Sequence, residues 1–158
     1  MDWAGWGLFG LVATAALTAA LITAQLAGLT RLDFPLVLGT LVTEDPDRAR
    51  VVGFFMHLGA GQGFALGYAA AFALLHRATW WIGALLGLLH VGIALTVLLP
   101  LLPGVHPRMA SQRAGLTSTA VLEPPGVLGV NYGVQTPAVA VVIHVIYGIV
   151  LGLLLQAG

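Results

Sequence analysis

The stretch that decides the fold is residues 80–99, WWIGALLGLLHVGIALTVLL, which contains no charged side chain. A helix needs about 20 mostly apolar residues to cross the hydrocarbon core of a bilayer. Three further stretches meet this requirement, at about residues 6–29, 51–76 and 137–156. Because lipid offers no partner to backbone polar groups, such spans form helices. The sequence therefore predicts an all-α, polytopic membrane protein with four transmembrane helices.

The composition of the whole chain agrees with this class. Of the 158 residues, 59% are hydrophobic and only 8% are charged, whereas a soluble domain carries about 25% charged residues. Six Arg balance six acidic residues, so no basic surface for nucleic acid is expected. With no Cys, the chain can form neither disulfides nor thiolate metal sites. We expect one four-helix transmembrane domain over residues 1–158.

The connections between the predicted spans differ in length. Residues 77–79 make a tight turn, so the second and third spans form an antiparallel hairpin. Between the first two spans, residues 34–38 (FPLVL) are apolar but too short to cross, which predicts a short interfacial helix. Asp45 and Pro46 then provide an N-cap and a first helical residue. Before the fourth span lies the long loop 100–136, which begins where Pro100 is expected to end the third helix.

Small residues repeat at every fourth position within the spans. Since helices in lipid associate through close backbone approach, such stripes predict packing seams in a compact bundle. The second span presents Gly59, Gly63 and Gly67, and the fourth presents Gly148 and Gly152. The third span has a shorter pair of the same kind, Gly83 and Gly87.

Polar side chains inside the predicted spans are the candidate functional residues, since such groups are costly in lipid. The predicted ligand-binding set is Gln25, His57, Gln62, His90, His144 and Tyr147. Counting about 1.5 Å per residue from the span ends places Gln25, His57 and His144 at one depth. The same count places Gln62, His90 and Tyr147 in a second layer near the midplane.

Several chemistries are compatible with these residues, and the sequence does not choose among them. His57 and His144 could hold a transition metal through neutral imidazoles, or haem iron from both sides. A proton relay along His57, His90 and Tyr147 is a further hypothesis. Each histidine could instead be an interhelical hydrogen-bonding group with no ligand. The identity of any cofactor stays open.

Two classes of function follow from these alternatives. The first is a membrane protein that holds a small ligand or metal at the His/Gln/Tyr site. The second is an accessory or structural subunit, either a homo-oligomer or bound to a membrane partner, without ligand chemistry. No Ser-His-Asp, HExxH or carboxylate-pair pattern is present, so nothing in the sequence points to an enzyme.

Three segments carry a resemblance to a known group of proteins. They are residues 10–14 (GLVAT), residues 122–126 with 131–133 (LEPPG and NYG), and residues 144–148 (HVIYG). Together they resemble small four-helix bacterial inner-membrane proteins of unknown function. The resemblance implies the same topology and a bacterial inner membrane, and it assigns no catalytic residue.

Arginine is distributed unequally between the two sides of the predicted topology. The first and third connections share one side and hold five arginines: Arg31, Arg48, Arg50, Arg108 and Arg113. The other side holds only Arg77 together with both termini. By the positive-inside rule the five-arginine side is cytoplasmic, which leaves both termini outside the cytoplasm.

Reporter fusions test this orientation. A fusion after Gly158 should report an external C-terminus, and fusions within residues 110–120 should report a cytoplasmic loop, because positively charged loops are retained in the cytoplasm. The opposite labelling would reverse the orientation without changing the number of spans.

Overall fold

A computed structural model describes residues 3–111 and 122–156, with side chains from residue 5 onward. Within these residues the protein is all-helical, with no strand and one isolated bridge between Met109 and Leu122. Arg113, Gly158 and most of the loop region chosen for fusions lie outside the described residues. The described residues form six α-helices: α1 (Trp3–Leu26), α2 (Phe34–Gly39), α3 (Pro46–Leu74), α4 (Trp80–Ile93), α5 (Leu99–Val105) and α6 (Thr136–Leu154).

In the part of the chain that the structure describes, three helical stretches are long and apolar enough to cross a membrane. They are Gly5–Leu26 in α1, Trp80–Val105 through α4 and α5, and Thr136–Leu154 in α6. Helix α3 matches the predicted second span in position and is 29 residues long, but it is not among the three. Its interior includes the polar side chains of His57 and Gln62.

Aspartates begin the two helices that follow α1. The Asp33 carboxylate accepts a hydrogen bond from the Leu36 amide at 3.0 Å, which caps the short α2 in the predicted place. The Asp45 carboxylate accepts from the amides of Asp47 and Arg48 at 3.0 and 2.9 Å, with Pro46 as the first helical residue. The predicted cap of the second long helix is therefore confirmed.

The prediction that Pro100 ends the third span is wrong. Helix α4 passes without a break through a π-helical turn (Ala94–Leu98) into α5, which contains Pro100 and Pro103. In the π turn the Leu99 amide donates to the Ala94 carbonyl, five residues back. The missing N–H of Pro100 falls at this change of hydrogen-bond register, so the helix continues to Val105. The loop before α6 is correspondingly shorter than predicted, and Val127–Tyr132 within it form a 3₁₀ segment.

The long helices pack in the order α4, α6, α1, α3, and α2 lies against α3. Helices α4 and α6 touch through their backbones. A Cβ atom added at Gly83 would overlap the Gly148 carbonyl oxygen, and one at Gly148 would overlap the Gly83 carbonyl oxygen. Gly87 meets the His144 carbonyl, and Gly152 meets the Thr79 carbonyl, in the same way. The glycines that the sequence singles out on the third and fourth spans lie at this contact.

The predicted seam at Gly59, Gly63 and Gly67 makes no close contact within the described chain, because a Cβ atom at any of these positions would meet nothing within 4 Å. The glycines of α3 that pack are Gly53, against the Pro35 carbonyl, and Gly61, against the Thr14 side chain. Each is four residues from His57, so the three share one helix face. Glycine is frequent on both faces of α3, and periodicity alone therefore could not select the inner one.

The segments on either side of the loop before α6 are held by polar contacts, partly to α2 and its C-cap. Buried His106 contacts the Val37 carbonyl at 2.9 Å, and Arg108 donates to the Thr40 carbonyl at 2.7 Å. The Tyr132 hydroxyl donates to the Glu123 carbonyl at 2.6 Å. Burial raises the pKa of Tyr132 to about 12, so this donor stays protonated at neutral pH.

Alanine substitutions test the two assignments of glycine. We expect Gly83→Ala to destabilise the protein by about 1–3 kcal/mol, the usual cost of overpacking, because its methyl group would overlap a carbonyl oxygen. Gly63→Ala is the matched control and should cause no loss. Unfolding in mixed detergent micelles measures both; an equal loss for the two variants would contradict the assignment.

Candidate functional site

The candidate site is a cavity of about 200 Å³ enclosed by α1, α3, α6 and the α4–π segment, with residues from α2 at one end. Most lining side chains are apolar. The polar exceptions are Thr14, His57, His90, His144 and Tyr147. Four of the six residues that the sequence predicts as ligand-binding therefore share one cavity.

The close approach of α4 and α6 brings two of these histidines into contact. Gly87 lets the α4 backbone reach the His144 carbonyl, and His90 follows one turn later. The ring centres of His90 and His144 are 4.7 Å apart, with the rings nearly perpendicular. His90 also stacks on Phe64 of α3 at 3.8 Å and lies 3.4 Å from the Tyr68 hydroxyl through its Nδ1.

His57 is held from the opposite wall. Its Nδ1 lies 2.9 Å from the Thr18 hydroxyl of α1, and its ring meets the edge of Phe34 with centres 4.8 Å apart. The His144 Nδ1 lies 2.8 Å from the Ala140 carbonyl oxygen, one turn back on α6. Both imidazoles are thus oriented through Nδ1.

Tyr147 connects three helices next to the cavity. Its hydroxyl donates to the Gly61 carbonyl of α3 at 3.2 Å and lies 3.5 Å from the Thr14 hydroxyl of α1. This contact is possible because Gly61 has no side chain where α1 and α3 meet.

The two glutamines of the predicted set do not line the cavity. The Gln62 side-chain amide donates to the Gly7 backbone carbonyl at 2.9 Å, and the Trp6 indole donates to the Gln62 backbone carbonyl at 3.3 Å, so Gln62 joins α3 to the start of α1. Gln25 is half-buried near the end of α1. The structure therefore does not bring Gln25 to His57 and His144. It also brings His90 into contact with His144, although the sequence placed these two histidines in different layers of the membrane.

The sequence-based prediction missed the residues that orient the histidines. Thr14 and Thr18 are fully buried, and Phe34 and Phe64 contact the imidazoles directly. The signal available was the spacing of Thr14 and Thr18, which are four apart on one face of an otherwise apolar helix.

The positions of the histidines and acidic side chains bear on whether the site could hold a metal ion. Among residues 3–111 and 122–156, no group of three or more His, Asp or Glu side chains is placed to hold a metal ion. His57 and His144 line one cavity with no acidic side chain beside them. Apolar walls with a few polar groups are typical of pockets for small organic molecules.

The described chain is thus an all-helical protein with three apolar helices long enough to cross a membrane and a cavity carrying three histidines. No protein-family model, no curated protein and no solved structure matches it.

Replacing Thr18 tests how His57 is held. Thr18→Val keeps the shape of the side chain but leaves the His57 Nδ1 without its partner in a buried place, which costs about 1–3 kcal/mol. The control is Thr23→Val. Like Thr18, Thr23 donates its hydroxyl hydrogen to the carbonyl four residues back, but it is exposed and hydrogen-bonds to no histidine in the described chain, so its loss should cost no more than about 0.6 kcal/mol. Unfolding in micelles measures the difference, and equal costs would mean that the His57 contact contributes nothing.

Proposed function

We propose that this protein is a four-span inner-membrane protein that binds a small, largely apolar molecule in the cavity between its helices. In this proposal α3 is the second span, and α1, α3, α6 and the α4–α5 helix form a compact bundle. The observation that carries the proposal is the clustering of His57, His90, His144 and Tyr147 in one otherwise apolar cavity.

The dimensions and lining of the cavity support a small organic ligand. Its volume is about 200 Å³, and an apolar cavity of about 150 Å³ in another protein is large enough to bind benzene. Ligand pockets combine apolar walls with a few polar groups that fix orientation. Here the walls are leucine, alanine and aromatic side chains, and the imidazoles are the polar groups.

The cavity wall is exposed only where α3 and the π turn face each other, not at the helix ends. Among the lining residues only Ala60 on α3 and Leu98 in the π turn are exposed. Helices α3 and α4 are the two ends of the packing order, and Phe64 and Tyr68 of α3 both contact His90 of α4. In a bilayer this gap would face the acyl chains, so the ligand would enter from the lipid and not from water.

The π turn contributes to the same wall. Ala94, Leu95 and Leu98 all lie in it and all line the cavity. A π turn inserts an extra residue into the helical repeat, and such turns frequently occur at functional sites. This placement agrees with a binding role for the cavity.

A metal ion or haem remains an alternative occupant at His57 and His144. Two imidazoles would need further ligands from water or from the occupant itself, since the described residues supply no third one. Elemental analysis and an optical spectrum of the purified protein separate this alternative from an organic ligand.

An accessory or structural role is the second candidate function. The face of α3 that carries Gly59, Gly63 and Gly67 is exposed, and no atom lies near the Cβ positions of these glycines. Another transmembrane helix, from a second copy or from a different membrane protein, could approach closely there. Under this alternative the histidines only hydrogen-bond within the bundle.

Filling the cavity tests the binding proposal. In Ala94→Phe the added ring would occupy the cavity, whereas in Val97→Phe it would lie on the exposed side of the same π turn. We expect a small molecule to be extracted from wild-type protein and from Val97→Phe, and to be at least about tenfold depleted in Ala94→Phe. Mass spectrometry of solvent extracts measures the ratio.

The same samples can contradict the proposal. Equal extraction from the two variants would place the molecule outside the cavity. A wild-type protein that yields no small molecule or metal, and that co-purifies with a membrane partner, would favour the accessory role. Circular dichroism of each variant establishes that it is folded.

A further inference from the structure

The hydrogen bonds around His57 determine which of its ring nitrogens carries hydrogen. A threonine hydroxyl has one hydrogen to donate, and the Thr18 hydroxyl donates it to the Thr14 carbonyl at 2.7 Å. Towards His57 the Thr18 oxygen can therefore only accept, so the 2.9 Å contact requires hydrogen on Nδ1 of the imidazole. In a neutral imidazole the other nitrogen, Nε2, then carries a lone pair.

The same argument applies to His144. Its Nδ1 lies 2.8 Å from the Ala140 carbonyl oxygen, and a carbonyl oxygen only accepts. Nδ1 must again carry the hydrogen, which leaves a lone pair on Nε2. His106, outside the cavity, has the opposite form: its Nδ1 accepts from the Arg108 amide at 3.1 Å, and its Nε2 donates to the Val37 carbonyl at 2.9 Å.

The lone pair on each Nε2 has no partner in the described part of the chain. Within the described residues, Nε2 of His57 and of His144 makes no hydrogen bond, and neither atom is sealed off among protein atoms. Both residues line the cavity. The pair therefore presents acceptors, whereas His90 can adopt either form because its partner, the Tyr68 hydroxyl, can donate or accept.

Building on the proposed binding function, we propose that the cavity selects a ligand that donates hydrogen: a lipid-soluble alcohol or phenol whose hydroxyl group binds Nε2 of His57 or His144. A ligand carrying only a carbonyl or ether oxygen would place its lone pairs against those of the imidazole, without a hydrogen between them. The apolar part of the ligand would lie along the leucine walls towards the opening at Ala60 and Leu98. A built acceptor site discriminates strongly against an analogue that lacks the donor.

Nitrogen-15 NMR of the full-length protein in micelles, labelled at histidine, tests the proposal with two matched probes. The probes are 4-butylphenol and its methyl ether, 4-butylanisole, which differ only in the donor hydrogen and one methyl group. Without a probe, protonated Nδ1 is expected for His57 and His144, and protonated Nε2 for His106 as the internal reference. His57→Gln and His144→Gln assign the signals; the binding measurement itself uses the wild-type protein.

We expect the phenol to bind at least about tenfold more tightly than the anisole and to move the Nε2 signal of His57 or His144. Equal affinity for the two probes, or protonated Nε2 on both residues, would overturn the donor preference while leaving the binding function in place. Failure of both probes to bind at saturating concentration would overturn the binding function together with it. Binding of the anisole alone would reverse the proposed selectivity.

Discussion

Backbone contact between α4 and α6 is the constraint on which the rest of the structure depends. Gly83 and Gly148 each lie against the other's carbonyl oxygen, and Gly87 lies against the carbonyl of His144. Any side chain at these positions would push the two helices apart. Because glycine has no side chain, the helices stay in contact and His90 reaches the ring of His144. Side chains of two different helices thus form one polar cluster.

The packing order explains why a cavity exists beside that cluster. Helix α6 is held by α4 on one side and α1 on the other, and α3 packs mainly against α1 and α2. No comparable backbone contact joins α3 to α4; aromatic rings fill part of the gap, with Phe64 stacked on His90. The remaining space is lined by the π turn, whose wider backbone arrangement also lets the helix continue through Pro100.

Threonines of α1 determine the chemistry of that space without occupying its centre. Thr14 and Thr18 donate their hydrogens to carbonyls one turn back, so both hydroxyl oxygens can accept from other helices. The orientation of His57 follows from this arrangement, and that of His144 follows from its own helix backbone. Hydrogen bonds at Nδ1 of both imidazoles favour a single arrangement of the rings and leave each Nε2 unpaired within the described residues.

The sequence by itself determined the helical class, the approximate position of each long helix, the Asp45 cap and the small residues at which α4 and α6 touch. Each depends on local properties: hydropathy, capping chemistry and the spacing of small residues within one helix. Only the tertiary structure decided which face of α3 packs, because Gly61 and Gly63 are equally small and differ only in direction. It also decided that Gln62 braces α1 whereas His90 joins His144, since residue depth along one helix does not determine the rotation of its neighbours.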